Sequence, residues 1–110
     1  MKSFKAYQYR RLILENGDLA SGDYDFDDIT IRTHEGYLND AFDKEDGHVL
    51  PAVETHDGNH VEHWKNGVLH NLNGPAVVDN LDDYEEWWEN GLPVRIETNL
   101  ARRRRNGEEI

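Results

Sequence analysis

Six histidines and an excess of carboxylates are the side chains of this sequence with chemistry to offer. His56, His60, His63 and His70 fall in one window, and His56-x-x-x-His60 has the spacing zinc uses when both imidazoles leave one helix face. On a strand the geometry changes, because His60 and His63 then point to opposite faces. No metal or other cofactor is expected on that reading, with a histidine metal site as the alternative. The adjacent acids Asp27-Asp28, Asp82-Asp83 and Glu85-Glu86 suit acid and base chemistry only where burial raises one pKa of a pair. Nothing in the sequence has the form of a nucleophile elbow, a phosphate loop or a two-His-one-carboxylate site, so no catalytic residue is expected. Asp23-x-Asp25-x-Asp27 begins like a calcium loop and then fails, since Asp28 and His34 stand where a glycine and a glutamate are required.

Read as a strand, the same three aspartates become a stripe. Asp23, Asp25 and Asp27 share one face at intervals of about 6.7 Å, with Tyr24 and Phe26 turned inward. A second acidic group, Asp79, Asp82, Asp83, Glu85, Glu86 and Glu89, surrounds Trp87, which its neighbours leave partly exposed. Rigid rows of carboxylates imitate a phosphate backbone, to which nucleic-acid-binding proteins present Lys and Arg. These ten residues are the expected partner-binding set.

The charge balance agrees. The net charge is −11, yet residues 1–11 hold four cations and no acid, and residues 95–110 hold five arginines against three glutamates, so the body between is strongly acidic. Such a field repels nucleic acid and anionic lipid and steers the body toward basic protein surfaces. The expected partner is a protein with a basic surface, a nuclease or a CRISPR effector being of that kind, and neither nucleic acid nor a membrane. The run Arg102–Arg105 is expected to pair with the chain's own acids. With no cysteine and no apolar run longer than Leu12-Ile13-Leu14, the chain reads as a soluble protein of a reducing, cytoplasmic compartment.

At 110 residues, one domain spanning 1–110 is expected. Its organisation is visible as self-similarity. Pro51-Ala52-Val53 matches Pro75-Ala76-Val77, and the same offset of 24 places Glu62 on Glu86, Trp64 on Trp88 and Asn66-Gly67 on Asn90-Gly91. A looser copy sets Tyr37-Leu38-Asn39-Asp40-Ala41-Phe42 against Trp64-Lys65-Asn66-Gly67-Val68-Leu69, and further turns are expected at Asn16-Gly17, Asn73-Gly74 and Asn106-Gly107. Asn-Gly favours the two-residue type I′ hairpin, where both residues need positive φ. Alternation in 6–11, 23–27 and 84–89 adds strands. The predicted fold is all-β, an antiparallel meander of repeated β-hairpins with a period of about 24 residues, clearest over 37–94 and followed by a basic segment, 95–110. Trp64 and Trp88 are expected to stack along its core.

The segment Trp64-Lys65-Asn66-Gly67-Val68-Leu69-His70, followed by Gly74-Pro75-Ala76, resembles the MORN-repeat variants of bacterial and phage proteins. That resemblance implies a curved β-hairpin array used as an interaction surface, with no catalytic residues to carry over. In size and charge the chain is also similar to phage anti-CRISPR proteins and bacterial immunity proteins, which implies a non-enzymatic inhibitor covering a basic nucleic-acid-binding surface. The alternative is a repeat scaffold whose aromatic face binds a protein partner or assembles an oligomer.

Overall fold

A computed structural model of the chain describes residues 3–98. A single short 3-10 turn, Lys5–Tyr7, precedes twelve strands: β1 (Gly22–Asp25), β2 (Ile29–His34), β3 (Tyr37–Leu38), β4 (Ala41–Phe42), β5 (Val49–Leu50), β6 (Val53–Thr55), β7 (His60–Glu62), β8 (Trp64–Lys65), β9 (Val68–Leu69), β10 (Val77–Asp79), β11 (Tyr84–Glu89) and β12 (Leu92–Thr98). The main sheet runs β1-β2-β6-β7-β10-β11-β12, with β3 paired to the far end of β2, while β4-β5 and β8-β9 form two small separate ribbons. Every pairing is antiparallel and the sheet follows chain order. The all-β, antiparallel expectation holds.

Turn chemistry explains the reversals. Asn66-Gly67 (φ 48 and 85) joins β8 to β9 and Asn90-Gly91 (φ 49 and 83) joins β11 to β12, as a type I′ turn requires. A third turn of this form, Glu35-Gly36 (φ 49 and 88) between β2 and β3, was not foreseen, because glutamate is a poor marker for a left-handed position. It corrects the alignment of the first unit. The segment Thr33–Leu38, rather than Tyr37–Phe42, is equivalent to Trp64–Leu69, and β4 pairs with β5 instead of β3. Asn73-Gly74 forms no hairpin: neither residue has positive φ, and the chain runs on toward β10. Asn106-Gly107 lies outside the described residues.

Backbone bonds recur between corresponding places. Gly67 N–H donates to Leu38 O and Gly91 N–H to Leu69 O, both at 2.9 Å, while His63 N–H to Ala76 O repeats Arg32 N–H to Ala52 O. Each ribbon thus leans on the one before it. The contact is close, since a Cβ built on Gly67 would lie 2.5 Å from Tyr37 Cδ1.

Register decides which side chains face inward. Tyr24, Ile31, Val53, Glu62, Val77 and Glu86 are directly paired in turn across the sheet and so share one face. That face meets Trp64, Leu69, Trp88, Leu38 and Ala52 in the core. Two glutamates stand in this row because each satisfies an indole two residues on. Glu62 Oε1 accepts from Trp64 Nε1 at 3.0 Å, and Glu86 Oε1 from Trp88 Nε1 at 2.8 Å. The expected tryptophan stack is absent: among the described residues the ring pair is Phe4 with Tyr7, at 5.7 Å. A carboxylate that must reach each buried indole N–H sets the spacing of those rings.

Two local expectations also change. Residues 5–7 form the 3-10 turn rather than a strand. Phe26 lies beyond the end of β1 and is 55% exposed instead of inward.

Candidate functional site

The three long hairpins of the main sheet close on one edge. Ile29 pairs with Thr55 and His60 with Asp79, so the connections 26–28, 56–59 and 80–83 must lie side by side. They are also tied directly, His56 N–H donating to Asp28 O at 2.9 Å and Asn80 N–H to Asn59 O at 2.8 Å. Each loop carries acid: Asp27 and Asp28, then Asp57, then Asp82 and Asp83, all exposed except the half-buried Asp83. Successive loops are two strands apart, or about 10 Å. Asp57 is fixed in place by Asn59 N–H at 2.9 Å and the Thr55 hydroxyl at 2.7 Å, and these donors hold its carboxyl below the usual range. Asp57 stays ionised in neutral solution.

Behind the edge, one face of the sheet continues the charge. Asp25, Thr30, Glu54, Val61, Val78 and Glu85 form a row by register on the side opposite the core. Asp25 accepts from the Thr30 hydroxyl, which also meets His56 Nε2 at 3.1 Å. Arg32 is buried among acids, with Nε 3.2 Å from Asp23 and Nη1 3.3 Å from Glu54 and 2.8 Å from Pro51 O. Asp23 is thereby paired within the chain. Trp87 sits half-buried on this face under the Arg95 guanidinium, 4.0 Å from its ring centre.

The ten residues expected to bind a partner are therefore divided. Asp25, Asp27, Asp82, Asp83 and Glu85 gather at the acidic edge or just behind it, and Asp23 is tied to Arg32. Glu89 is exposed at the opposite end, beside the Asn90-Gly91 turn. Asp79 and Glu86 correct the expectation, being 2% and 4% exposed: both lie on the inward side of their strands, where they satisfy buried donors. Asp28, Glu54 and Asp57 were missed. Only the pairing of β2 with β6 and β7 with β10 brings them into line, although Asp57-Gly58 does mark a turn in the sequence.

Asp79 belongs to a buried network. His60 places Nδ1 2.7 Å from Asp79 and Nε2 2.6 Å from Glu62, with all three side chains almost wholly enclosed. Glu62 also accepts the Phe4 N–H at 3.0 Å, so the N-terminal segment is anchored on the same carboxylate. Burial by itself would lower the His60 pKa, but hydrogen bonds to Glu62 and Asp79 outweigh it and leave it raised above 6.5. Burial would raise Asp79; the Asp82 N–H and His60 oppose it, and Asp79 stands at about 2 instead of 3.8. Burial and the charges of Glu86, Asp79 and Glu62 push neighbouring Tyr84 up to about 12.

These shifts fix a pH profile. The depressed Asp79 contributes stability that is present above 3.8 and is lost as pH falls through about 2, a difference of about 2 kcal/mol. The raised His60 contributes stability that is full below 6.5 and is lost as pH climbs through its folded value. Urea midpoints measured against pH should fall on both flanks. Asp79→Asn should flatten the acid flank, and an unchanged flank would show that this carboxylate does not carry it.

The remaining histidines serve separate contacts. His63 Nδ1 meets Asp40 at 2.8 Å, a carboxylate that also accepts the Ala52 and Trp64 N–H groups, and His70 Nδ1 accepts the Asn90 N–H at 3.0 Å. His56, His60, His63 and His70 do not converge on one point. Among the described residues, the donors close enough to share an ion are Asp43, Asp46 and His48, on the β4-β5 loop. Residues 102–105, the arginine run, lie outside the described residues, and no helix among the described residues is long and apolar enough to cross a membrane.

Comparison with known proteins finds no matching family model, no matching curated protein and no matching solved structure.

Proposed function

We propose that this chain is a non-catalytic binding module whose acidic edge covers a basic, nucleic-acid-binding surface on another protein. One observation carries the reading: three neighbouring loops, bonded to one another through their backbones, hold Asp27, Asp28, Asp57, Asp82 and Asp83 along a single edge. Fixed carboxylates lose little freedom on meeting Lys or Arg, and a row of them competes for the groups that otherwise grip phosphate. The finer identities, an array of MORN-type hairpins and an inhibitor of the anti-CRISPR or immunity-protein kind, are part of this proposal and rest on the residues quoted above.

The test joins the five substitutions Asp27→Asn, Asp28→Asn, Asp57→Asn, Asp82→Asn and Asp83→Asn in one protein. Asparagine keeps an acceptor at Asp57 and tolerates the left-handed backbone of Asp83 (φ 54). Each exposed charge contact is worth about 0.2–1 kcal/mol, so affinity for a basic nuclease target should drop by about tenfold or more. Wild-type binding should weaken with added salt and compete with the target's nucleic acid. Equal affinity of the two proteins, insensitive to salt, would overturn the reading.

A second reading is favoured by one feature. The inner face of β2, β3 and β6 is left partly uncovered, and Phe4, Tyr7, Leu12, Ile31, Leu38 and Val53 line an apolar groove there. A scaffold that binds through this aromatic side keeps its partner in the five-asparagine protein.

A further inference from the structure

We propose that Asn73 is a self-modifying site, converted to isoaspartate and aspartate by attack of the Gly74 peptide nitrogen on its side-chain amide. The Gly74 nitrogen gives up its proton to solvent and bonds to Asn73 Cγ; the Cγ–Nδ2 bond breaks and ammonia leaves with a proton from water. The resulting succinimide takes up one water. Opening at the main-chain carbonyl gives isoaspartate and opening at Cγ gives aspartate, with no oxidation or reduction at any step.

A glycine follows because it offers no Cβ to obstruct the approach, but the fold decides which such pair reacts. The described residues hold six Asn-Gly or Asp-Gly pairs, and in five the glycine nitrogen is engaged. Gly17 donates to Leu14 O, Gly47 to Asp43 O, Gly58 to Thr55 O, Gly67 to Leu38 O and Gly91 to Leu69 O, each at 2.9 Å. Gly74 N–H alone has no acceptor among the described residues.

The electrophile follows the same division. Asn66 and Asn90 are held at φ 48 and 49 inside their turns, and the Asn16 amide is clasped by Asp18 at both ends. Asn73 is exposed and its side-chain amide makes no hydrogen bond; only its main-chain N–H is used, donating to Asn71 Oδ1 at 3.0 Å. Space around the nucleophile is open, the nearest atom to a Cβ position on Gly74 being Asn71 Nδ2 at 3.9 Å.

The product is placed where it changes the surface. Asn73 lines a groove with Asp40, Trp64, Lys65 and His70, so conversion adds a carboxylate to a groove that also holds a lysine and a histidine. Isoaspartate also lengthens the main chain by one methylene just before Ala76, whose N–H must still reach Glu86 O at 2.8 Å.

The full chain, held in mildly alkaline buffer, tests the proposal by peptide mapping with fragmentation that separates isoaspartate from aspartate. Reaction at the closed pairs must wait for a turn to open, so Asn73 should convert at least about tenfold faster than Asn16, Asn66 or Asn90. In denaturant the four rates should come together, and Asn73→Gln should abolish the fast conversion. Asn106 is followed as a separate peptide. Equal rates at the four sites in the folded chain, or an unmodified Asn73 beside a converted Asn66 or Asn90, would overturn the assignment.

Discussion

Glu62→Ala should cost about 3–5 kcal/mol of unfolding free energy, enough to bring a domain of ordinary stability close to its unfolding limit. The reason is the number of donors that one carboxylate serves. His60 Nε2, the Trp64 indole and the Phe4 main chain all end on Glu62, which has no exposed surface, and the two buried rings have no water to turn to. His60 would be left with Asp79 as its one ring partner. The equivalent change one unit later, Glu86→Ala, removes the Trp88 bond and a 3.8 Å approach of Lys5, and should cost only about 1–3 kcal/mol. Urea unfolding of the two variants side by side gives the difference. If they prove equally mild, the carboxylate of Glu62 is solvated and does not hold a buried network together.

Gly67→Val ranks second, at about 3–5 kcal/mol, because two penalties fall on one residue. A β-branched side chain at φ 85 carries backbone strain of about 1–3 kcal/mol. Overlap with the Tyr37 ring adds about 1–3 kcal/mol, since three of its ring atoms lie 2.5–3.3 Å from a Cβ at this position. Gly17→Val separates the terms: φ there is 91, but nothing lies within 4 Å, so only the strain remains. Thermal unfolding should therefore drop much further for the first variant than for the second. Matching drops would mean that adjacent ribbons do not press on each other at this point.

Much of this architecture was legible in the residues. Asn66-Gly67 and Asn90-Gly91 are local signals, because Asn and Gly both tolerate a left-handed backbone, and both turns form where expected. Glu62, Trp64, Glu86 and Trp88 could be matched by spacing, but their purpose could not. Nothing in Glu-x-Trp announces that the acid points inward to an indole, so in the sequence Glu86 reads as one of an exposed acidic group. Glu35-Gly36 escaped notice for the opposite reason: its left-handed glutamate is imposed by the ribbon around it. The candidate site divides in the same way. Asp82 and Asp83 stand out in the sequence as part of an acidic group around Trp87, whereas Asp57 acquires its place only beside Asp28.

By itself, the sequence determined what depends on neighbours along the chain: the alternation of 84–89, the reversals at Asn66-Gly67 and Asn90-Gly91, and a strongly acidic body between basic ends. Tertiary structure decided what depends on neighbours across the sheet. In a strand, successive side chains face opposite ways, so a single step of register moves an acid from solvent to core. That step placed Asp79 and Glu86 inside, brought three distant acidic loops to one edge, and left Gly74 without the hydrogen bond that holds every comparable glycine among the described residues.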